Sequence, residues 1–323
     1  MILEPIELFE IAGFTLYAHQ ALLAVAVLAC GALCAVNVRR AGLPHASVLY
    51  FLPLAIVMGM LLAHLSFCLL RFGDVSYRGI GYLFRFWEGD DLHAYMLYGG
   101  MAGCAIAAWL AAKLAKASPV KLMDAIAPAA ALMLCLVRVA QALAGQGHGR
   151  TLDEDSPLGF FPFAVYDSMY EMWNWAVFVP AALYLLIVAI VLWRGQGKRV
   201  GDATLLLLLL YAAAQITFES LRNDDVLRWG FVRCSQVFSA VVVAFVLLCY
   251  CLRVHKSGGA RIAVAWVSYV LLLVVCLLME FAIEKRISFL EFLEPAGCHV
   301  VMTVASALMV VNALGVRRFA QRA

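Results

Sequence analysis

Apolar residues run through this chain in long stretches, at roughly 17–37, 48–70, 94–114, 121–144, 172–194, 202–221, 234–253, 260–281 and 296–316. Each stretch is closed by polar residues, glycine or proline, and the connections are mostly short, with no internal repeat and no low-complexity tract. A helix needs about 20 apolar residues to cross the hydrocarbon core of a bilayer. The pattern therefore predicts an all-α polytopic membrane protein of about nine transmembrane helices.

Composition agrees with that reading. Of the 323 residues, 65% are hydrophobic and 14% charged, with a mean hydropathy of +0.92. A soluble domain is about half apolar and about a quarter charged. The net charge of +3 gives no reason to expect a nucleic-acid partner. The ten cysteines are mostly scattered through apolar runs, and the tightest pair, Cys249-Tyr250-Cys251, has no second pair to complete a zinc site. They are read as small buried residues, so neither a metal nor a cofactor is expected. The acidic start (Glu4, Glu7, Glu10) is unlike a cleavable signal peptide.

Charge becomes informative when it is placed on the spans. With the N-terminus outside, 14 of the 24 basic residues fall on the inner side: Arg39 and Arg40, Lys113, Lys116 and Lys121, Arg194, Lys198 and Arg199, Arg253, Lys256 and Arg261, and Arg317, Arg318 and Arg322. Basic residues accumulate on the cytoplasmic side of membrane proteins. An N-out, C-in topology follows as an expectation.

Charged residues at membrane depth are costly and tend to be functional. Arg138 lies toward the outer half of the fourth span, Glu219 and Arg222 near the outer end of the sixth, and Glu171 at the outer start of the fifth; His19 and His64 lie in the outer halves of the first and second. Two readings stay open. The residues form a structural ion-pair network, such as Arg138–Glu219, or they form a site for a lipid phosphate, which a guanidinium binds bidentately. Gly99-Gly100-x-x-Gly103 after Tyr98 either permits close helix packing or brings backbone N–H groups to an anionic headgroup. The outer loop 145–171 carries His148, Gly149 and Arg150, then Asp153-Glu154-Asp155, then an aromatic run ending at Tyr170. Loops of this length are often functional.

The ordered series Tyr98-Gly99-Gly100-Met101-Ala102-Gly103, Asp124-x-x-x-Pro128, Arg138-x-x-Gln141, Gly149, Tyr170-Glu171, Tyr211…Glu219-x-x-Arg222 and Ser235-Gln236-x-x-Ser239 resembles the prolipoprotein diacylglyceryl transferase family over roughly residues 10–252. The resemblance implies a seven-helix core, N-out and C-in, over 1–257, with residues 258–323 as an appended two-helix extension. It also implies transfer of diacylglyceryl from phosphatidylglycerol, or another anionic phospholipid, to the lipobox cysteine of a prolipoprotein signal peptide at the outer face of the bacterial cytoplasmic membrane. Arg138, Gly149, Glu171, Glu219 and Arg222 match the family pattern. Tyr98 stands where the family has His, and His19 where its first helix has Tyr, unless Tyr17 is the true counterpart. Gln141 replaces Asn, Gln215 replaces Arg, and His64 replaces an Arg.

Carried over residue by residue, the resemblance makes His19, Tyr98, Arg138, Gln141 and Glu219 the catalytic candidates. Arg138, Arg222, Gly99 and Gly100 are phosphate-binding candidates, and Gly149, His148, Tyr170, Glu171 and Gln215 support them. The base that generates thiolate is His19 or His148. Two alternatives remain at this level: a non-catalytic relative that binds lipid or assembles a membrane partner through the extension, and a relative that uses a different acceptor. A transporter is disfavoured, because no pair of broken spans recurs in matching halves.

Overall fold

The computed structural model describes residues 4–11, 14–86, 95–153, 155–195, 199–223, 227–254, 259–286, 288–290 and 292–322. Glu154, Lys198 and Lys256, together with the 257/258 division, lie outside the described residues. A hairpin of β1 (Glu7–Ile11) and β2 (Phe14–Tyr17) leads into α1 (Ala18–Arg40). Then come α2 (Ala46–Leu70), the single turn α3 (Phe72–Val75), α4 (Leu97–Leu114) and α5 (Pro119–Leu143). A second hairpin, β3 (Ala164–Asp167) with β4 (Met172–Trp175), precedes α6 (Phe178–Arg194) and α7 (Asp202–Leu221). The two-residue strands β5 (Arg228–Trp229) and β6 (Val232–Arg233) join α7 to α8 (Cys234–Leu252), and α9 (Gly259–Ile283) and α10 (Pro295–Arg322) follow.

Among the described residues, eight helices are long and apolar enough to cross a membrane, and α6, at 17 residues, is a shorter apolar ninth. The polytopic helical reading therefore holds, with one boundary corrected. The expected span 172–194 begins six residues late, because Met172–Trp175 is a strand. Val165 and Asn174 are buried at its pairing with β3, and on its other edge Gly149 and Leu152 donate to Trp175 and Trp173 carbonyls, both at 2.7 Å. Glu171 consequently sits in a hairpin turn at φ +54, a left-handed conformation that no helix start adopts. It does not open the fifth span.

The chain forms two compact units. One comprises 23–134 and 186–204. Its tightest seam is α2 against α4, where a Cβ on Gly103 would collide with the Met58 carbonyl and one on Gly99 with Leu62 and Ser66. Only glycine lets two helix backbones approach this closely. Within the same unit Asp124 of α5 accepts hydrogen bonds from the Thr204 N–H (2.9 Å) and hydroxyl (2.8 Å) and from the Gly201 N–H, so it satisfies donors at the start of α7.

The other unit comprises 1–22, 135–185 and 205–323. Its core joins α7 and α8 to α9 and α10 through Leu209, Ile216, Val246, Tyr250, Tyr269, Met302 and Met309. Polar ties cross the same seam. Tyr269 donates to the Ala240 carbonyl (2.7 Å), and the Thr217 and Ser306 hydroxyls meet at 3.4 Å. On α9 the residues Val264, Val267, Val270, Leu271 and Val274 remain exposed, as an apolar face turned to lipid requires.

Candidate functional site

Helical spacing builds a polar cluster inside the second of these units. Arg138 and Gln141 stand one turn apart on α5; Gln215 and Glu219 stand one turn apart on α7, and Arg222 follows its last residue. Residues three or four apart share a helix face. Glu219, 2% exposed, is the centre. Its Oε1 accepts from Arg138 (3.1 Å), from Arg222 (3.0 Å) and from Gln215, while Oε2 accepts from Ser235 (3.0 Å) at the head of α8. The second arm of Arg138 donates to Gln141 (3.0 Å). Tyr211, fully buried, lies one further turn down α7.

A lone carboxylate at this depth would cost several kcal/mol. Here every oxygen is engaged by a charged or polar donor. Counted over Arg138, Arg222, Arg233 and Glu219, the cluster carries three positive charges against one negative. Arg233 donates to the Arg222 carbonyl, and its own N–H is capped by Gln236 (3.1 Å). The cluster is thus electropositive, buried and held on three helices.

The long 145–171 loop reaches the cluster through its backbone. Gly149 bridges Arg222, and the His148 carbonyl accepts from the Asn223 N–H (2.9 Å). A Cβ on Gly149 would lie 2.7 Å from Val177 and 3.1 Å from the Leu221 carbonyl, so this close approach demands glycine.

A family model described as prolipoprotein diacylglyceryl transferase matches residues 6–252. The chain belongs to this family. Among similar proteins, the phosphatidylglycerol–prolipoprotein diacylglyceryl transferase of Oceanobacillus iheyensis is 22% identical over 259 residues, covering 78% of this chain and 88% of its own. The enzymes of the same name from Halalkalibacterium halodurans (22%; 79% and 89% covered) and Clostridium kluyveri (26%; 80% and 100% covered) behave likewise. Family and apolar helices together make this a multi-pass protein of the bacterial cytoplasmic membrane. The match ends at the C-terminus of α8, so α9 and α10 lie beyond it.

Within the diacylglyceryl-transferase match, the remaining expected residues fall in different places. His19 opens α1, 8% exposed, stacked on Tyr17 at 5.5 Å between ring centroids. Its Nδ1 is buried without a hydrogen-bond partner among the described residues. Tyr170 (64% exposed) and Glu171 form the tip of the β3–β4 hairpin, whose turn is closed by Asp167 accepting from the Met169 (3.0 Å) and Tyr170 (3.2 Å) N–H groups. Tyr98, Gly99 and Gly100 begin α4 in the first unit, where the Gly100 N–H already donates to the Met96 carbonyl (3.1 Å). His64, also there, is wholly buried, with Nε2 3.1 Å from the Tyr82 carbonyl.

Two residues escaped the sequence reading. Arg233 lies in a polar stretch between spans, where only Gln236 three residues on marks it as a helix cap. Glu280 interrupts the apolar run of α9 as Glu219 does that of α7, and the same rule picks both. It is buried and accepts from Gln236. Among the described residues no group of His, Cys, Asp and Glu is arranged to hold a metal.

Proposed function

We propose that this chain moves the diacylglyceryl group of phosphatidylglycerol onto the cysteine thiol of a prolipoprotein signal peptide. The carrying observation is the buried Arg138–Glu219–Arg222 cluster on family-matched residues. In the reaction the thiolate sulfur forms a C–S bond to the terminal carbon of diacylglycerol. The C–O bond to phosphate breaks, and glycerol phosphate leaves with the electron pair. Arg138 and Arg222 hold that phosphate, because a guanidinium matches phosphate oxygens and stays charged when buried. Glu219 and Gln141 are positioning residues that aim Arg138. The thiol proton goes to an imidazole. His19 suits this role through its buried Nδ1, which has no hydrogen-bond partner among the described residues, and His148 is the alternative, with its Nδ1 3.1 Å from the carbonyl of Gly149, the residue bridged to Arg222. Tyr170 and Glu171 are assigned to the outer rim.

The proposal includes orientation: N-terminus outside, C-terminus cytoplasmic, and Arg138 in the outer leaflet. A reporter that matures only outside the cytoplasm is expected to be active when fused after Asp155 and silent after Arg199. The reverse pattern would overturn the topology. Residues 1–257 are read as the seven-helix transfer core, with 258–323 as an addition that offers a surface to a membrane partner. The transfer reading is tested by complementation in cells depleted of their own diacylglyceryl transferase. Growth with diacylated lipoproteins is expected. Stable, membrane-inserted protein that gives neither sinks the catalytic reading and leaves a lipid-binding relative.

A further inference from the structure

Beside the buried cluster lies a cavity of about 500 Å³, within the size range usual for small-molecule sites. Its basic lining is family-matched: Arg150 from the 145–171 loop, Arg222, Arg228 of β5 and Arg233 of β6. The same lining includes Glu280 near the end of α9 and Glu284 just past it, both beyond the family match. Four guanidiniums and two carboxylates share this lining. The excess positive charge fits a phosphate, which arginines grip bidentately. The carboxylates are unfavourable to a bare phosphate, since like charges at close range repel and lack a shared proton.

A ligand suits both the arginines and the carboxylates if it carries hydrogen-bond donors beyond its phosphate. Glu284 has room for such a donor. It stands 3.7 Å from Arg228, longer than a charge-assisted bond, and both side chains are part-exposed at 30% and 38%. Glu280 accepts from Gln236, but a carboxylate can accept about four hydrogen bonds. We infer that this cavity is a headgroup-selecting site for a glycerophosphate ester, with the arginines on the phosphate and Glu280 and Glu284 on the headgroup hydroxyls. The extension thereby sets lipid selectivity for the core. This rests on the reading that the chain handles phosphatidylglycerol, but the site does not depend on turnover.

The test is equilibrium binding to the full chain in nanodiscs, with phosphatidylglycerol, phosphatidic acid and soluble glycerol phosphate as probes. Phosphatidylglycerol is expected to bind about tenfold more tightly than phosphatidic acid. Glu280→Gln also alters the buried bond to Gln236, so Glu284→Gln is the primary variant. It should shrink the preference to within about twofold, chiefly by improving phosphatidic acid binding. Competition by soluble glycerol phosphate would mean that the site holds the released headgroup; binding of lipid alone would mean that it holds the donor. Arg228→Gln should weaken the bound probe, whichever it is. An unchanged preference in Glu284→Gln, or unchanged binding in Arg228→Gln, overturns the inference. Failed complementation alongside the expected selectivity change would remove the transfer reading and leave this site standing.

Discussion

Glu219→Ala is expected to destabilise the inserted protein by about 3–5 kcal/mol, the penalty for breaking a buried ion pair from one side. The geometry explains the size. One carboxylate oxygen collects Arg138, Arg222 and Gln215, and the other collects Ser235. Alanine would leave two guanidiniums, both on residues under a tenth exposed, facing each other without a counter-charge. Glu219→Gln keeps an acceptor oxygen and the shape, so its loss should be smaller but still clear. Glu284→Gln offers the contrast. Its pair with Arg228 is part-exposed and 3.7 Å long, and such surface pairs contribute about 0–1 kcal/mol. Denaturant titration in detergent micelles, followed by tryptophan fluorescence, ranks the three. If Glu219→Ala unfolds at the same midpoint as Glu284→Gln, Glu219 is not the keystone of this unit.

How the cluster came to be legible follows from what a bilayer does to sequence. Lipid offers no partner to backbone or charge, so spans read as unbroken apolar runs and exceptions stand out. Arg138 and Glu219 were visible on those terms, and so was their pairing. The β3–β4 hairpin was not. Met172-Trp173-Asn174-Trp175 is apolar enough to pass as the first turn of a helix, and only its pairing with 164–167 and 149–152 shows otherwise. The left-handed Glu171 that closes this hairpin has no local signature, since glutamate is not a usual turn residue. Glycines divided in a comparable way. Gly99 and Gly103 serve the α2–α4 seam, while Gly149 serves the contact between the 145–171 loop and Arg222. Spacing alone could not assign either use. The arginine-rich cavity was hidden for a different reason: its walls come from segments 150, 222–233 and 280–284, whose proximity depends on α9 packing against α8.

Arg138→Ala carries the largest expected effect on chemistry. Turnover should fall about 10²–10³-fold, the usual loss when one preorganised donor to a developing negative charge is removed. The charge in question builds on the phosphate oxygen as its bond to the diacylglyceryl carbon breaks. Phosphate is anionic before and after that step, so Arg138 binds substrate as well as assisting departure. A drop in kcat larger than the rise in KM therefore marks the second contribution. Stability should change less than in Glu219→Ala, because Glu219 would still be met by Arg222, Gln215 and Ser235. Arg138→Lys separates charge from geometry. An ammonium restores a point charge but not the planar fork that spans Glu219 and Gln141 at 3.1 and 3.0 Å. It should recover part of the binding and little of the rate. Gln141→Ala leaves the guanidinium charge intact and removes only its aim, so it should act mainly on kcat. A folded Arg138→Ala protein that turns over at the parent rate would place the leaving-group contact elsewhere, and Arg222 would be the residue to change next.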